Sequence, residues 1–114
     1  MIEKTLLDAI QSGTQVPCFM EIPENPPAYY YKLERTGGGQ RGHEQRDATF
    51  AVQSYAPTLL EAAEMNEQLL NLMRELQFTE DEIVTCQLNS TYNCTDQNSK
   101  RYRYQAVFDL VYFA

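Results

Sequence analysis

The sequence predicts an α+β fold: a two-layer sandwich in which a mostly antiparallel five-stranded sheet carries two helices on one face, in the order α-β-β-β-α-β-β. Three observations predict it. Short runs that alternate or are rich in aromatic and β-branched residues are separated by proline, glycine and polar stretches, as strands and their connections are. Two other segments repeat apolar residues every three or four positions, the period of a helix lying on a core. The 114 residues contain no internal repeat and no dividing linker, so residues 1–114 are expected to form a single domain.

The elements follow in order. Residues 2–12 place Ile2, Leu6, Leu7 and Ile10 on one helical face, and Gly13 is expected to stop the run. Cys18–Ile22 reads as a brief strand closed by Pro23. The PENPP that follows is a stiff connector, because its prolines deny both helix and ladder their amide donors. Tyr29–Arg35 and Ala48–Tyr55 read as strands flanking a glycine-rich flexible hairpin loop, residues 36–47.

Thr58 and Glu61 then make a T-x-x-E capping box, which satisfies free amides at a helix start. From there Leu59, Ala62, Ala63, Leu69, Leu70, Met73 and Leu76 trace one face and a row of glutamates the other. Asn66 falls within the apolar face, as a satisfied core amide or as a subunit contact. A weaker box at Thr79-Glu80-Asp81-Glu82 suggests one more helical turn. Ile83–Asn89 is a strand, NSTYNCTDQNSK a polar hairpin connection, and Arg101–Phe113 a long closing strand. One face of that strand is Tyr102, Tyr104, Ala106, Phe108, Leu110 and Tyr112. Its other face turns apolar at Val107, Val111 and Phe113, so that end is either covered twice or sits in an interface.

Composition narrows the function. Apolar residues are 43% and charged residues 22%, ordinary for a globular domain. A net charge of −7 disfavours a general nucleic-acid binder, which needs surplus cations to displace counterions. Three cysteines without a C-x-x-C pair, and one histidine, offer no zinc set; free thiols in a reducing cytoplasm are expected. Asn89-Ser90-Thr91 and Asn93-Cys94-Thr95 fit the glycosylation pattern. However, MIEKTLLDAI is charged too early to act as a signal peptide, and no run approaches a membrane span. A soluble chain, intracellular when made, is the expectation.

Gly37, Gly39 and Gly42 match the G-x-G-x-x-G spacing of dinucleotide-binding loops. That motif works where a strand ends and a helix begins, whereas the residues after Gly42 alternate like a strand. His43 and Glu44 stand where a Walker loop needs Lys and Ser or Thr. The match is therefore read as chance, and no cofactor is expected. Within the loop, Arg35, Arg41 and Arg46 against Glu44 leave positive charge, while segment 58–82 is strongly acidic. Lys100, Arg101 and Arg103 add a second basic patch. Opposed patches on one small domain permit head-to-tail association, which closes into a ring where the rotation allows. The other readings are a small binding module that uses loop 35–47 for a peptide or anion, and an enzyme pairing His43 with Glu44 or Asp47. The second is ill served by a hairpin tip.

The run PENPPAYYYKLERTGG, the strand and helix DATFAVQSYAPTLLEAAEMNEQL and the closing YRYQAVFDLVYF together resemble the small tail-completion proteins of long-tailed bacteriophages and prophages. These include tail terminators and tail-to-head joining proteins, often labelled minor capsid components. The resemblance covers nearly the whole chain. It implies a non-enzymatic α/β structural protein that forms a hexameric ring at the head-proximal end of the tail tube. Such a ring ends tube growth or joins the tail to the head, contacts tube and neck proteins, and lets DNA pass without specific binding. The location implied is the tail or neck of a virion assembled in the host bacterial cytoplasm, with no membrane partner. Arg35, Arg41, His43 and Arg46 of the hairpin are the contact candidates it suggests, beside Asn66, Arg101, Arg103 and Val111 from the residue patterns.

Overall fold

In the computed structural model, which describes residues 1–96, 98 and 101–114, the elements fall in the expected order. Helices α1 (Ile2–Thr14) and α2 (Leu59–Thr79) lie over a sheet of β1 (Cys18–Phe19), β2 (Tyr30–Gln40), β3 (Gln45–Ala56), β4 (Ile83–Asn93) and β5 (Tyr102–Phe113). The strand order is β1-β2-β3-β5-β4. Three of the four ladders are antiparallel; β1 pairs with β2 in parallel, so the sheet is mixed. The short crossover is anchored where the Tyr31 amide donates to the Pro17 carbonyl at 2.9 Å.

The core is the layer between helices and sheet. Ile2, Leu6 and Ile10 of α1 join Ala62, Met65, Leu69, Met73 and Leu76 of α2 over Tyr31, Leu33, Phe50, Val52, Phe108 and Leu110. Of the apolar face expected for α2, Leu59 is instead exposed and Met65 takes a buried place. The Tyr31 hydroxyl, buried among these side chains, donates to the Met65 carbonyl at 2.8 Å. Burying such a hydroxyl is tolerable because its hydrogen bond is kept.

Several boundaries differ from the sequence reading, each for a physical reason. Gly13 does not end α1. It lies inside the helix, where an added Cβ would come within 2.6 Å of Leu72 Cδ1, so the glycine lets the two helices approach. The helix ends at Gln15 instead, which takes the left-handed conformation (φ 61°) and returns its amide to Gln11. The strand expected over Cys18–Ile22 keeps only two residues.

The box at Thr58 forms in part. Its hydroxyl accepts from the Glu61 amide at 3.2 Å, while the Glu61 carboxylate takes that hydroxyl's proton side at 2.8 Å rather than the Thr58 amide. Thr79 starts no second helical turn; it is the last residue of α2, and a turn through Asp81 and Glu82 leads into β4. Strand β4 runs four residues further than expected, to Asn93.

The largest correction concerns the loop expected at 36–47. Residues 36–40 and 45–47 are strand, paired from Gly37 with Thr49 to Gln40 with Arg46, after a bulge between Arg35 and Gly37. Only 41–44 turn the chain. The pairing with β3 supplies what glycine's weak strand preference lacks.

Candidate functional site

Three parts of the surface hold all but one of the residues singled out above: the β2–β3 arm, and the two ends of the sheet face that bears no helix. The arm comes first. Gly37, Gly38 and Gly39 stand opposite Thr49, Ala48 and Asp47, and none has a positive φ. A Cβ at Gly38 would lie 2.8 Å from the Asp47 carbonyl, so here the glycine admits close packing across the ladder. The motif therefore sits in the middle of a strand and precedes another strand. It lacks the helix amino terminus on which a pyrophosphate would rest.

The arginines of the arm are less available than their charges suggested. The Arg35 guanidinium lies 6.0 Å over the Phe50 ring, pairs with Glu3 at 3.6 Å and donates to the Tyr112 hydroxyl at 3.4 Å. It fastens α1 to the sheet. Arg41 approaches Asp47 at 3.9 Å. Arg46 lines a depression with Met1, Glu3, Glu82 and Tyr112 on the helix side, where the Thr5 hydroxyl also donates to Glu82. His43 is exposed at the turn.

At the far end of the sheet the helix-free face is closed. Tyr30 and Tyr55 stack at 4.5 Å and are 1% and 7% exposed. Arg101 donates to the Tyr30 hydroxyl at 3.0 Å and Arg103 to the Tyr55 hydroxyl at 3.1 Å, each guanidinium about 6 Å over the ring it serves. Pro23, Pro26, Pro27 and Pro57 wall the hollows beside this stack. Burial is the main influence on Tyr30 and raises its pKa, with Arg101 pulling the other way. The hydrogen bond from Arg103 to Tyr55 keeps that guanidinium above its usual range. These two arginines, expected as surface contacts, are thus partners of buried tyrosines. Lys100, grouped with them in the sequence, lies outside the described residues.

The near end of the same face is open. Thr49, Val107, Asp109 and Val111 share it, with no helix above them, while the small Ala51 between them is buried by its neighbours. The Asp109 carboxylate accepts from the Thr49 hydroxyl and the Asn89 amide, both at 2.9 Å, and Gln53 donates to Gln105 at 2.8 Å. Val111 is half-buried and borders a shallow depression of about 540 Å³ with Arg41, Asp47, Val84 and Gln87. Sequence reading singled out Val111 but missed Asn89 and Asp109, whose partnership needs β4 and β5 to be side by side.

Asn66 lies apart from all of these. It is 5% exposed beneath α2 and donates to the Thr91 hydroxyl of β4 at 2.9 Å, while its Oδ1 is buried without a partner among the described residues. Arg46, at the β5 row of Tyr112, and Arg103 are about nine residues apart along β5, roughly 30 Å. The structure therefore does not gather the two basic patches into one site.

Chemistry at the cysteines is restrained by burial, which pushes the Cys18 and Cys86 thiols up to about 12 and also raises Cys94. Among the described residues no group of three or more His, Cys, Asp and Glu could hold a metal, and no helix is long and apolar enough to cross a membrane. No protein-family model matches the chain, and no curated protein matches it either.

Proposed function

We propose that this chain is a non-enzymatic structural protein that assembles into a ring at the head-proximal end of a phage tail tube, ending tube growth or joining the tail to the head. The observation that carries the reading is the open end of the helix-free face. Val107 and Val111 there are half-buried without a covering layer, while the opposite end of the same face is closed by prolines and arginines. Apolar residues left half-covered in this way are what a subunit contact uses. The long β2–β3 arm gives a second contact element, with residues 34–44 exposed. The acidic balance suits a conduit through which DNA moves without being held. Six copies, tube and neck proteins as partners, and a place in the virion are carried by the family resemblance.

The test is mass by light scattering across a range of protein concentrations, followed by electron microscopy of the same sample with and without purified tail tubes. Rings with a central hole, free or seated on tube ends, are expected. A monomer that ignores tube ends, and that takes up a peptide or anion saturably through Arg41 and His43, would replace this reading with the binding-module one.

A further inference from the structure

The two outer edges of the sheet are open at the same height. β1 covers β2 only at Tyr31 and Lys32, so in the strand order the edge of residues 33–40 has no neighbour. β4 is the opposite edge and has β5 on one side alone. Reading across the ladders, Leu33 aligns with Val52, Ala106 and Thr91, while Gln40 aligns with Arg46, Tyr112 and Ile83. The uncovered part of β2 thus matches residues 83–91 of β4 in height. Three antiparallel ladders separate the two strands, so they run in opposite directions.

Edges of this kind are normally protected by charge, proline or a covering element. β4 reads IVTCQLNSTYN, without a charge or a proline, and leaves Leu88 and Tyr92 each 47% exposed. The Cys86 amide donates to the Gln77 side chain at 3.4 Å, outside the β5 ladder. Alternation then points the amides of residues 86 and 88 away from the sheet. On β2, Gly37–Gly39 carry no side chains, so another strand can come close, although the Arg35 side chain donates to the Gly37 carbonyl at 3.3 Å.

We propose that these two edges are halves of one interface: residues 83–91 of one copy pair antiparallel with residues 33–40 of the next. The occupant is a second copy of this chain, because it brings an edge strand of the right length, direction and height, on which only the long Cys86–Gln77 bond must give way. Since the two edges are level, one copy is carried onto the next by rotation without a rise along the strands. Repetition of that operation closes a ring instead of growing a filament. The inference rests on the ring-forming reading above and adds to the face at Val107 and Val111 a second, edge-to-edge contact.

The experiment is disulfide trapping. Gln87 and Gly37 lie on one row, through Asp109 and Thr49. Within one chain they are three strand spacings apart, ~14 Å, beyond the reach of a disulfide. Across the proposed interface they are neighbours. A chain with Gln87→Cys and Gly37→Cys, and with Cys94→Ser to remove the half-buried native thiol, is oxidised mildly at high concentration. A ladder of covalent oligomers ending at the ring size is expected on a non-reducing gel, and neither single variant should give it. Thr85→Cys with Gly39→Cys, on the next row of the same face, serves if the first pair does not fold. Leu88→Pro, at an amide the β5 ladder does not use, should keep the circular dichroism of the folded chain and abolish the ladder.

Covalent dimers from Gln87→Cys alone would overturn the proposal in favour of β4 against β4. Rings in the microscope without a ladder would overturn it and leave the ring reading standing. A monomer without a ladder, even on tail tubes, would overturn both.

Discussion

The two ends of the helix-free sheet face are built from the same strands and treated oppositely. At one end Tyr30 and Tyr55 stack, two arginines hold their hydroxyls, and a proline-rich connector walls them in. At the other end Val107 and Val111 lie half-covered beside polar pairs around Asp109. Tyrosine is a large apolar side chain with one polar handle, so burying it demands a partner for that handle. Valine makes no such demand and can be left for another molecule to cover. The chain places its connector and its late arginines where its own fold needs them, and leaves bare the end that the proposed ring contact would cover.

Four measurements break or sharpen that contrast. The helix-covered side sets the scale: Phe50→Ala, in the fully buried layer, should lower unfolding stability by about 3–5 kcal/mol in urea titration. At the closed end, Tyr55→Phe removes only the hydroxyl that accepts from Arg103 and should cost about 1–2 kcal/mol. A loss near zero would mean that the closed end is held by stacking alone. Thr58→Ala removes the acceptor for the Glu61 amide and should cost about 1 kcal/mol. At the open end, Val111→Lys exposes a half-buried position but sets its cation opposite Asp47, and should change monomer stability by no more than about 1 kcal/mol, leaving the chain folded. It should nevertheless reduce ring yield in electron microscopy. If it unfolds the chain instead, Val111 belongs to the core and the contrast between the ends is lost.

A smaller effect concerns pH. The Tyr29 hydroxyl donates to Glu61, and this bond, more than the one from Thr58, holds the Glu61 carboxyl below its usual range. The same bond is the main reason that the Tyr29 pKa is raised. A depressed carboxyl contributes stability above its unfolded pKa and loses it as pH falls through the lower, folded value. A raised phenol contributes below its unfolded pKa and loses it as pH rises beyond about 10. Tyr29→Phe should therefore move the Glu61 carboxyl resonance midpoint upward in an NMR titration, with little change to the cap at Thr58.

The helices, the order of elements along the chain and the sidedness of β5 were legible because hydrophobic period is a local property of the sequence. Val52, Phe50 and Leu110 alternate as core strands should, and the Thr58 cap is visible in four residues. What escaped was set by distant partners. Residues 36–40 read as loop because glycine disfavours a strand in isolation, yet β3 is there to pair with them. Arg35 reads as a free charge in the sequence because only the fold brings Glu3, in the first turn of α1, to it. The two-residue β1 and its parallel ladder have no periodicity to detect. The same reason hid Asn89 and Asp109.

β5, the last strand in the sequence, is inserted between β3 and β4 rather than added outside them. Until residues 102–113 have left the ribosome, β3 and β4 each lack a neighbour on their inner side, and the hydrophobic layer is split. β4 therefore cannot join the sheet before β5 does, whereas the β2–β3 hairpin needs neither of them. The sheet is thus closed from its middle, and the β4 edge exists only once the strand that follows it in sequence has docked.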